Sequence, residues 1–289
     1  MSTLFRFLSH LPLYVLHNLG ALVGWLAWLL SATYRRNLAK NIVQAGLAEA
    51  KLASIGEAGK SLLELPKLWL RPQPEVLGRV ARVSGWEHVE AAWRAERGIL
   101  FLTPHLGCFE ITAQYYASHR PITVLYRRPK QAWLAPLIEQ GRGANVRLAP
   151  ADLGGVRRLL KALKGGEAVG ILPDQVPGNG EGAWVPFFER PAYTMTLAAR
   201  LAADATVLLA YAERLPYGAG YHLRVFPLSL PLEGELQTRA AQLNAELETL
   251  IRQCPTQYLW GYNRYKVPAG ASPPPAATPT DANKVGEPA

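Results

Sequence analysis

Short apolar runs alternate with amphipathic stretches from residue 79 to residue 172, and this alternation restricts the chain to one fold class. Residues 79–83, 98–102, 122–126, 145–148 and 168–172 have the length and apolar content of strands. The intervening stretches 86–96, 109–118, 131–140 and 154–164 carry apolar residues at helical spacing. A strand followed by a helix and another strand calls for right-handed crossovers and parallel neighbours. The expected fold is therefore α/β, a mostly parallel sheet covered by helices. A long Gly- and Pro-bearing loop, 173–193, follows, and loops of that length in compact domains are usually functional. Helix 194–203, strand 207–210, a hairpin partner at 221–226 and a terminal helix over 236–253 complete the pattern.

The chemistry-bearing residues lie where the second strand ends. Thr103-Pro104-His105-Leu106-Gly107-Cys108-Phe109-Glu110 places a histidine on the loop and a glutamate in the first turn of the next helix. On one continuous helix five steps of about 100° would keep the two apart. With His105 on the loop, Gly107 can let the chain fold back and bring the carboxylate to the imidazole. Glu110 would then fix the tautomer while the other ring nitrogen takes a proton from an attacking hydroxyl. On spacing alone the plainer alternative is favoured, a histidine satisfied at a strand end and a glutamate serving as helix N-terminal charge. Cys108 reads as a small buried apolar side chain in preference to a nucleophile.

Residues 7–34 contain no Asp, Glu, Lys or Arg, and Trp25 and Trp28 stand among leucines. That predicts an N-terminal membrane helix, either spanning or interfacial, because His10, Pro12, His17 and Asn18 dilute its first half. The following Arg35, Arg36 and Lys40 place the remainder on the cytoplasmic side by the positive-inside rule. Arg6 alone makes no basic leader, so a cleaved signal peptide is not expected. The expected organisation is a membrane anchor at 1–34, an amphipathic helical linker at 35–75, a catalytic domain at 76–267 and a disordered Pro- and Ala-rich tail at 268–289.

The 31 Lys and Arg against 22 Asp and Glu give a formal charge of +9, which favours anionic partners without choosing among them. Two widely separated cysteines, Cys108 and Cys254, support neither a disulfide framework nor a zinc site. No Walker motif occurs, and the cluster Gly178-Asn179-Gly180-Glu181-Gly182 opens no predicted helix.

Taken together, the blocks resemble one family. His105 and Glu110, then Tyr126-Arg127 and Gly141-Arg142, then Pro173-Asp174, Val185-Pro186-Phe187-Phe188, Thr194 and Thr196 follow the order and spacing of the lipid A biosynthesis acyltransferases, the lauroyl and myristoyl transferase group related to the glycerolipid acyltransferases. The resemblance extends from about residue 7 to about residue 266. Ala135, Val176 and Arg128 depart from residues common in the family. The resemblance implies transfer of a fatty acyl group from an acyl carrier protein thioester to a hydroxyl of a lipid A precursor at the inner membrane. In that reading His105 is the base and Glu110 its orienting acid, while Arg127, Arg128, Arg142 and Asp174 bind substrate and Phe187 and Phe188 border an acyl tunnel. A thioester is already activated, so no metal or other cofactor is expected. The rival expectations are transfer to a glycerolipid or another glycolipid, and a non-catalytic membrane-tethered protein binding anionic ligands. Basic and aromatic residues are dispersed along the chain, so no nucleic acid partner is expected.

Overall fold

The computed structural model describes residues 2–129, 131, 133–142, 145–178 and 180–274. Its centre is a seven-stranded sheet made of β1 (Val80–Ser84), β2 (Ile99–Leu102), β3 (Ile122–Tyr126), β4 (Val146–Pro150) and β5 (Ala168–Ile171). After a separate antiparallel pair, β6 (Gly182–Phe187) and β7 (Arg190–Met195), the chain returns to that sheet as β8 (Thr206–Arg214) and β9 (Tyr221–Pro227). The strand order is β1-β9-β8-β2-β5-β3-β4. Among the described strands of that sheet, only β8 and β9 pair antiparallel. The expected α/β fold is present, and β2 and β5 are buried at every position, as strands covered on both faces must be.

The helices in chain order are α1 (Ser2–His10), α2 (Leu13–Leu30), α3 (Ala32–Gln44), α4 (Lys51–Leu63), α5 (Leu65–Leu70) and α6 (Gln73–Leu77). They continue as α7 (Trp86–Arg94), α8 (Phe109–Ala117), α9 (Leu134–Gly141), α10 (Leu153–Lys164), α11 (Leu197–Leu201) and α12 (Leu236–Gln253). One core joins Leu100, Leu102, Val169 and Ile171 of the sheet to Leu159 of α10, Leu247 of α12, Leu38 and Ile42 of α3 and Ile55 of α4. The other joins Ile99 and Phe101 to Val89 of α7 and Ile111 of α8. Helices α3 and α4, from the stretch expected to be a linker, therefore contribute to the main core.

Helix α2 is long and apolar enough to cross a membrane, with a mean hydropathy of 1.6. It also packs closely on α4. A Cβ on Gly24 would lie 2.1 Å from the carbonyl oxygen of Ile55, and one on Gly59 would lie 1.9 Å from that of Gly20. Small residues at both sides of the crossing let the two backbones touch. His17, on the same face, is buried against Glu64. The outer surfaces stay apolar: Leu4 and Phe7 of α1, Leu22, Leu26 and Leu29 of α2 and Leu52 and Leu62 of α4 are all exposed.

The expected loop at 173–193 is in large part the β6–β7 hairpin. Its turn uses Phe188 and Glu189 at φ of 46° and 63°, a left-handed pair that carries no glycine signal in the sequence. Phe187 and Phe188 are each 2% exposed and belong to the main core; Phe187 lines only a small cavity beside Tyr258 and Trp260, and neither ring is among the residues lining the large cleft. Of the tail expected to be disordered, residues 275–289 lie outside the described residues.

Candidate active site

Strand register builds the centre of the site. β2 and β5 are parallel neighbours in which Leu102 pairs with Ile171. The backbone N–H of Thr103 still donates to the Ile171 carbonyl, at 3.0 Å. Three residues beyond each paired position stand His105 and Asp174, so the two side chains meet outside the carboxyl ends of the strands, where α/β sheets place ligand groups. Nδ1 of His105 lies 2.8 Å from Oδ1 of Asp174, and the His105 backbone N–H donates to Oδ2 at 2.9 Å. Asp174 is 2% exposed. Burial alone would raise its pKa, but the His105 ring and backbone N–H outweigh it and hold the carboxyl below its ordinary value.

The partners of the two ring nitrogens differ. A carboxylate on Nδ1 places the proton there, and Nε2 accepts from the side-chain amide of Gln175 at 3.1 Å. Nε2 thus faces the polar side of the cleft, the position a general base would need. Gln175 had no signal in the sequence beyond its position next to Asp174.

The expected contact between Glu110 and His105 is replaced by another arrangement. Glu110 is buried in the first turn of α8 and accepts a two-pronged pair from Arg142, Nε to Oε2 at 3.0 Å and Nη2 to Oε1 at 2.5 Å. The Trp69 indole N–H donates to Oε2 at 3.2 Å. Burial pushes the Glu110 pKa up, the Arg142 charge pulls it down more strongly, and the carboxyl ends below its ordinary value. The carboxylate hydrogen-bonded to His105 is thus Asp174, and the fork of Arg142, expected to bind substrate, is occupied by Glu110. Asp174 likewise has its carboxylate committed to the histidine.

His105, Glu110 and Arg142 border a cleft, and Asp174 lies buried behind His105. A cleft of about 810 Å³ is lined by His105, Glu110, Arg127, Arg142, Gln175 and Arg200, among others. Arg127 and Arg128 are exposed, and of these two Arg127 lines the cleft. A second, mostly apolar cavity of about 60 Å³ lies under α8 between Phe101, Tyr116, Val124, Gly170 and Ala210. The two share Phe109, Glu110, Leu125, Arg142 and Leu172, so the Glu110–Arg142 pair stands where cleft and cavity meet.

The loop that presents His105 is fixed from behind. Gly107 has a φ of +60°, and a Cβ there would lie 2.1 Å from the Ala212 carbonyl oxygen. Its N–H donates to the Gln257 carbonyl at 3.1 Å, and the Leu259 N–H donates to the His105 carbonyl at 3.1 Å. Gly107 therefore lets the loop press against β8, not against Glu110. The Gly107 carbonyl accepts from Nη2 of Arg214 at 2.7 Å. Arg214 in turn donates through Nε to both oxygens of Glu64, at 3.1 and 3.0 Å, and Glu64 also receives the Tyr221 hydroxyl at 3.1 Å. With His17 of α2 at 3.3 Å from Glu64, a buried polar chain runs from the N-terminal helix to the loop that presents His105. Cys108 is 1% exposed, and burial pushes its thiol pKa well up, which is the opposite of an activated nucleophile.

The family described as bacterial lipid A biosynthesis acyltransferase matches residues 2–267. The chain is 28% identical over 269 residues to the lipid A biosynthesis lauroyltransferase of Escherichia coli (strain K12), an alignment covering 89% of this chain and 87% of that protein. It is 27% identical over 221 residues to the lipid A biosynthesis palmitoleoyltransferase of the same organism, covering 74% of this chain and 71% of that one. A lipid A biosynthesis acyltransferase of Haemophilus influenzae is 25% identical over 284 residues, covering 91% and 88% respectively.

Proposed function

The chain belongs to the bacterial lipid A biosynthesis acyltransferase family, and from that premise we propose that it moves a fatty acyl group from an acyl carrier protein thioester to a hydroxyl of a lipid A precursor, with His105 as base and Asp174 as its orienting partner. The observation that carries this reading is the His105–Asp174 pair with Nε2 turned to the large cleft. The acceptor hydroxyl takes the place of the Gln175 amide on Nε2 and gives up its proton there as its oxygen attacks the thioester carbonyl. Asp174 stabilises the imidazolium that forms. The tetrahedral intermediate then collapses, the carbon–sulfur bond breaks, and the imidazolium returns the proton to the leaving thiolate. The side-chain amide of Gln175, already beside Nε2, is a donor available to the developing oxyanion.

In this reading Arg127 and Arg200 at the cleft rim meet the polar head of the acceptor. Glu110 and Arg142 hold each other at the junction with the apolar cavity, which receives the far end of an acyl chain. The names of the two Escherichia coli relatives carry different acyl groups, and the length taken by this chain follows from how deep that cavity runs. The apolar faces of α1, α2 and α4 seat the protein on the cytoplasmic surface of the inner membrane, where its lipid acceptor lies.

Mass spectrometry of lipid A from cells with the native protein and with His105→Ala tests the reading. The native sample is expected to carry one acyl chain that the variant sample lacks, and its mass gives the chain length. Identical lipid A from the two would overturn the proposal.

A further inference from the structure

Helix α10 has two faces with different work to do. Leu159, Ala162 and Leu163 are buried against the sheet, and the sequence LGGVRRLLKALK contains no acidic residue. Its outer face is Arg157, Arg158, Lys161 and Lys164, all exposed. Among the described residues none of these has a carboxylate at ion-pair distance. Positions 157, 161 and 164 follow one another at helical spacing, with 158 alongside, so the charges form a stripe along a helix roughly 18 Å long. The stripe begins at the cleft: Asp152, which caps α10, and Leu153 and Val156 of its first turn line it, and Leu153 is 78% exposed.

We infer that the outer face of α10 is the docking surface for an acidic protein that carries the acyl thioester, with the tethered chain entering the cleft past Leu153. The inference rests on the proposed acyl carrier protein donor and locates where that donor sits. Charge complementarity selects the class of partner: a linear array of cations without local acids suits the acidic face of a protein helix of similar length. A membrane is the weaker match, because α10 packs on β3, β4 and β5 while the apolar helix α2 is tied to the end of β8, across β2 in the sheet. A single substrate phosphate also fits poorly, since it calls for converging donors and not an extended row.

The test uses the full chain with Arg157→Gln, Arg158→Gln, Lys161→Gln and Lys164→Gln combined, a set that keeps helix formers on an exposed face. Transfer to the lipid A precursor is measured from acyl carrier protein and from the uncharged thioester acyl-N-acetylcysteamine. The expected result is a KM for the protein-borne donor raised about tenfold or more with kcat unchanged, and unaltered turnover of the small thioester. The native KM for the carrier should also climb with salt while the variant's stays flat. An unchanged KM for a carrier that the native enzyme uses would overturn the docking surface and leave the donor reading intact. Loss of binding to anionic vesicles with an unchanged carrier KM would assign the stripe to the membrane instead. Equal loss with both donors would mean that the stripe serves the acceptor. No transfer from the carrier by the native enzyme would overturn the donor reading and this inference with it.

Discussion

Arg214→Met removes the cation at the centre of the buried chain that links the N-terminal helix to the His105 loop. Arg214 is 4% exposed and satisfies both oxygens of Glu64, Oε2 of Glu57 and the Gly107 carbonyl. After the change Glu64 keeps the Tyr221 hydroxyl and His17 but has lost its full countercharge. Breaking one side of a buried pair costs about 3–5 kcal/mol, because the remaining charge is left uncompensated. At about 2–4 °C per kcal/mol for a domain of this class, Tm should fall by roughly 6–20 °C at pH 7. The pH dependence should also reverse. In the native protein burial raises the Glu64 pKa, the Arg214 charge outweighs that, and the folded value lies below the ordinary one. That stabilisation is present above the unfolded pKa, near 4.3, and is lost as pH falls through the lower folded value. Without Arg214 burial prevails, the folded pKa rises, and the variant should gain stability relative to itself as pH is lowered from 7 toward 5. Calorimetry in detergent micelles at both pH values reads the two effects. The double change Glu64→Leu with Arg214→Met should recover most of the loss, since an apolar pair leaves no orphaned charge. A single variant within about 1 kcal/mol of native, or a double variant no better than the single, would refute the reasoning.

Two further outcomes follow from close packing and burial. Gly24→Leu drives a side chain into the Ile55 carbonyl, so α2 should lift from α4 at a cost above about 2 kcal/mol; limited proteolysis should then cut near Ser31 in the variant and leave the native protein intact there. Cys108→Ala should retain acyl transfer, and the native thiol should stay unlabelled by maleimide at pH 8 until the protein unfolds, because the group is buried and its pKa is pushed up.

The strands were legible because apolar runs such as Ile99–Leu102 and Ala168–Ile171 are short and bounded by turn residues, and the hairpin partner of β8 could be placed by the same logic. His105 at a strand end was legible too. The carboxylate it meets was not, because proximity in sequence pointed to Glu110 whereas proximity in space comes from β2 and β5 lying side by side. Each of those strands is followed by a Pro and then a polar residue, Pro104-His105 and Pro173-Asp174, a symmetry that a parallel pairing converts into a contact. Arg142 was singled out as a substrate cation because nothing in the sequence shows that the end of α9 meets the first turn of α8. The network of His17, Glu64 and Arg214 joins residues far apart in the chain, so only the packed structure reveals that the apolar N-terminal helix is fastened to the site. The β6–β7 hairpin was missed for a local reason, since its turn places Phe188 and Glu189 at positive φ without glycine or asparagine.

The most direct test compares kcat for Asp174→Asn and Glu110→Gln with the native enzyme at saturating acyl donor. An asparagine at 174 can turn its amide N–H toward Nδ1, which moves the ring proton to Nε2 and removes the base. By analogy with the same change in a Ser-His-Asp triad, kcat should fall by about 10³–10⁴ with KM little altered. Glu110→Gln, which loosens Arg142 without touching His105, should cost far less in kcat. Retention of more than about a tenth of native kcat by Asp174→Asn, with loss of activity in Glu110→Gln, would contradict the account and return the orienting role to Glu110.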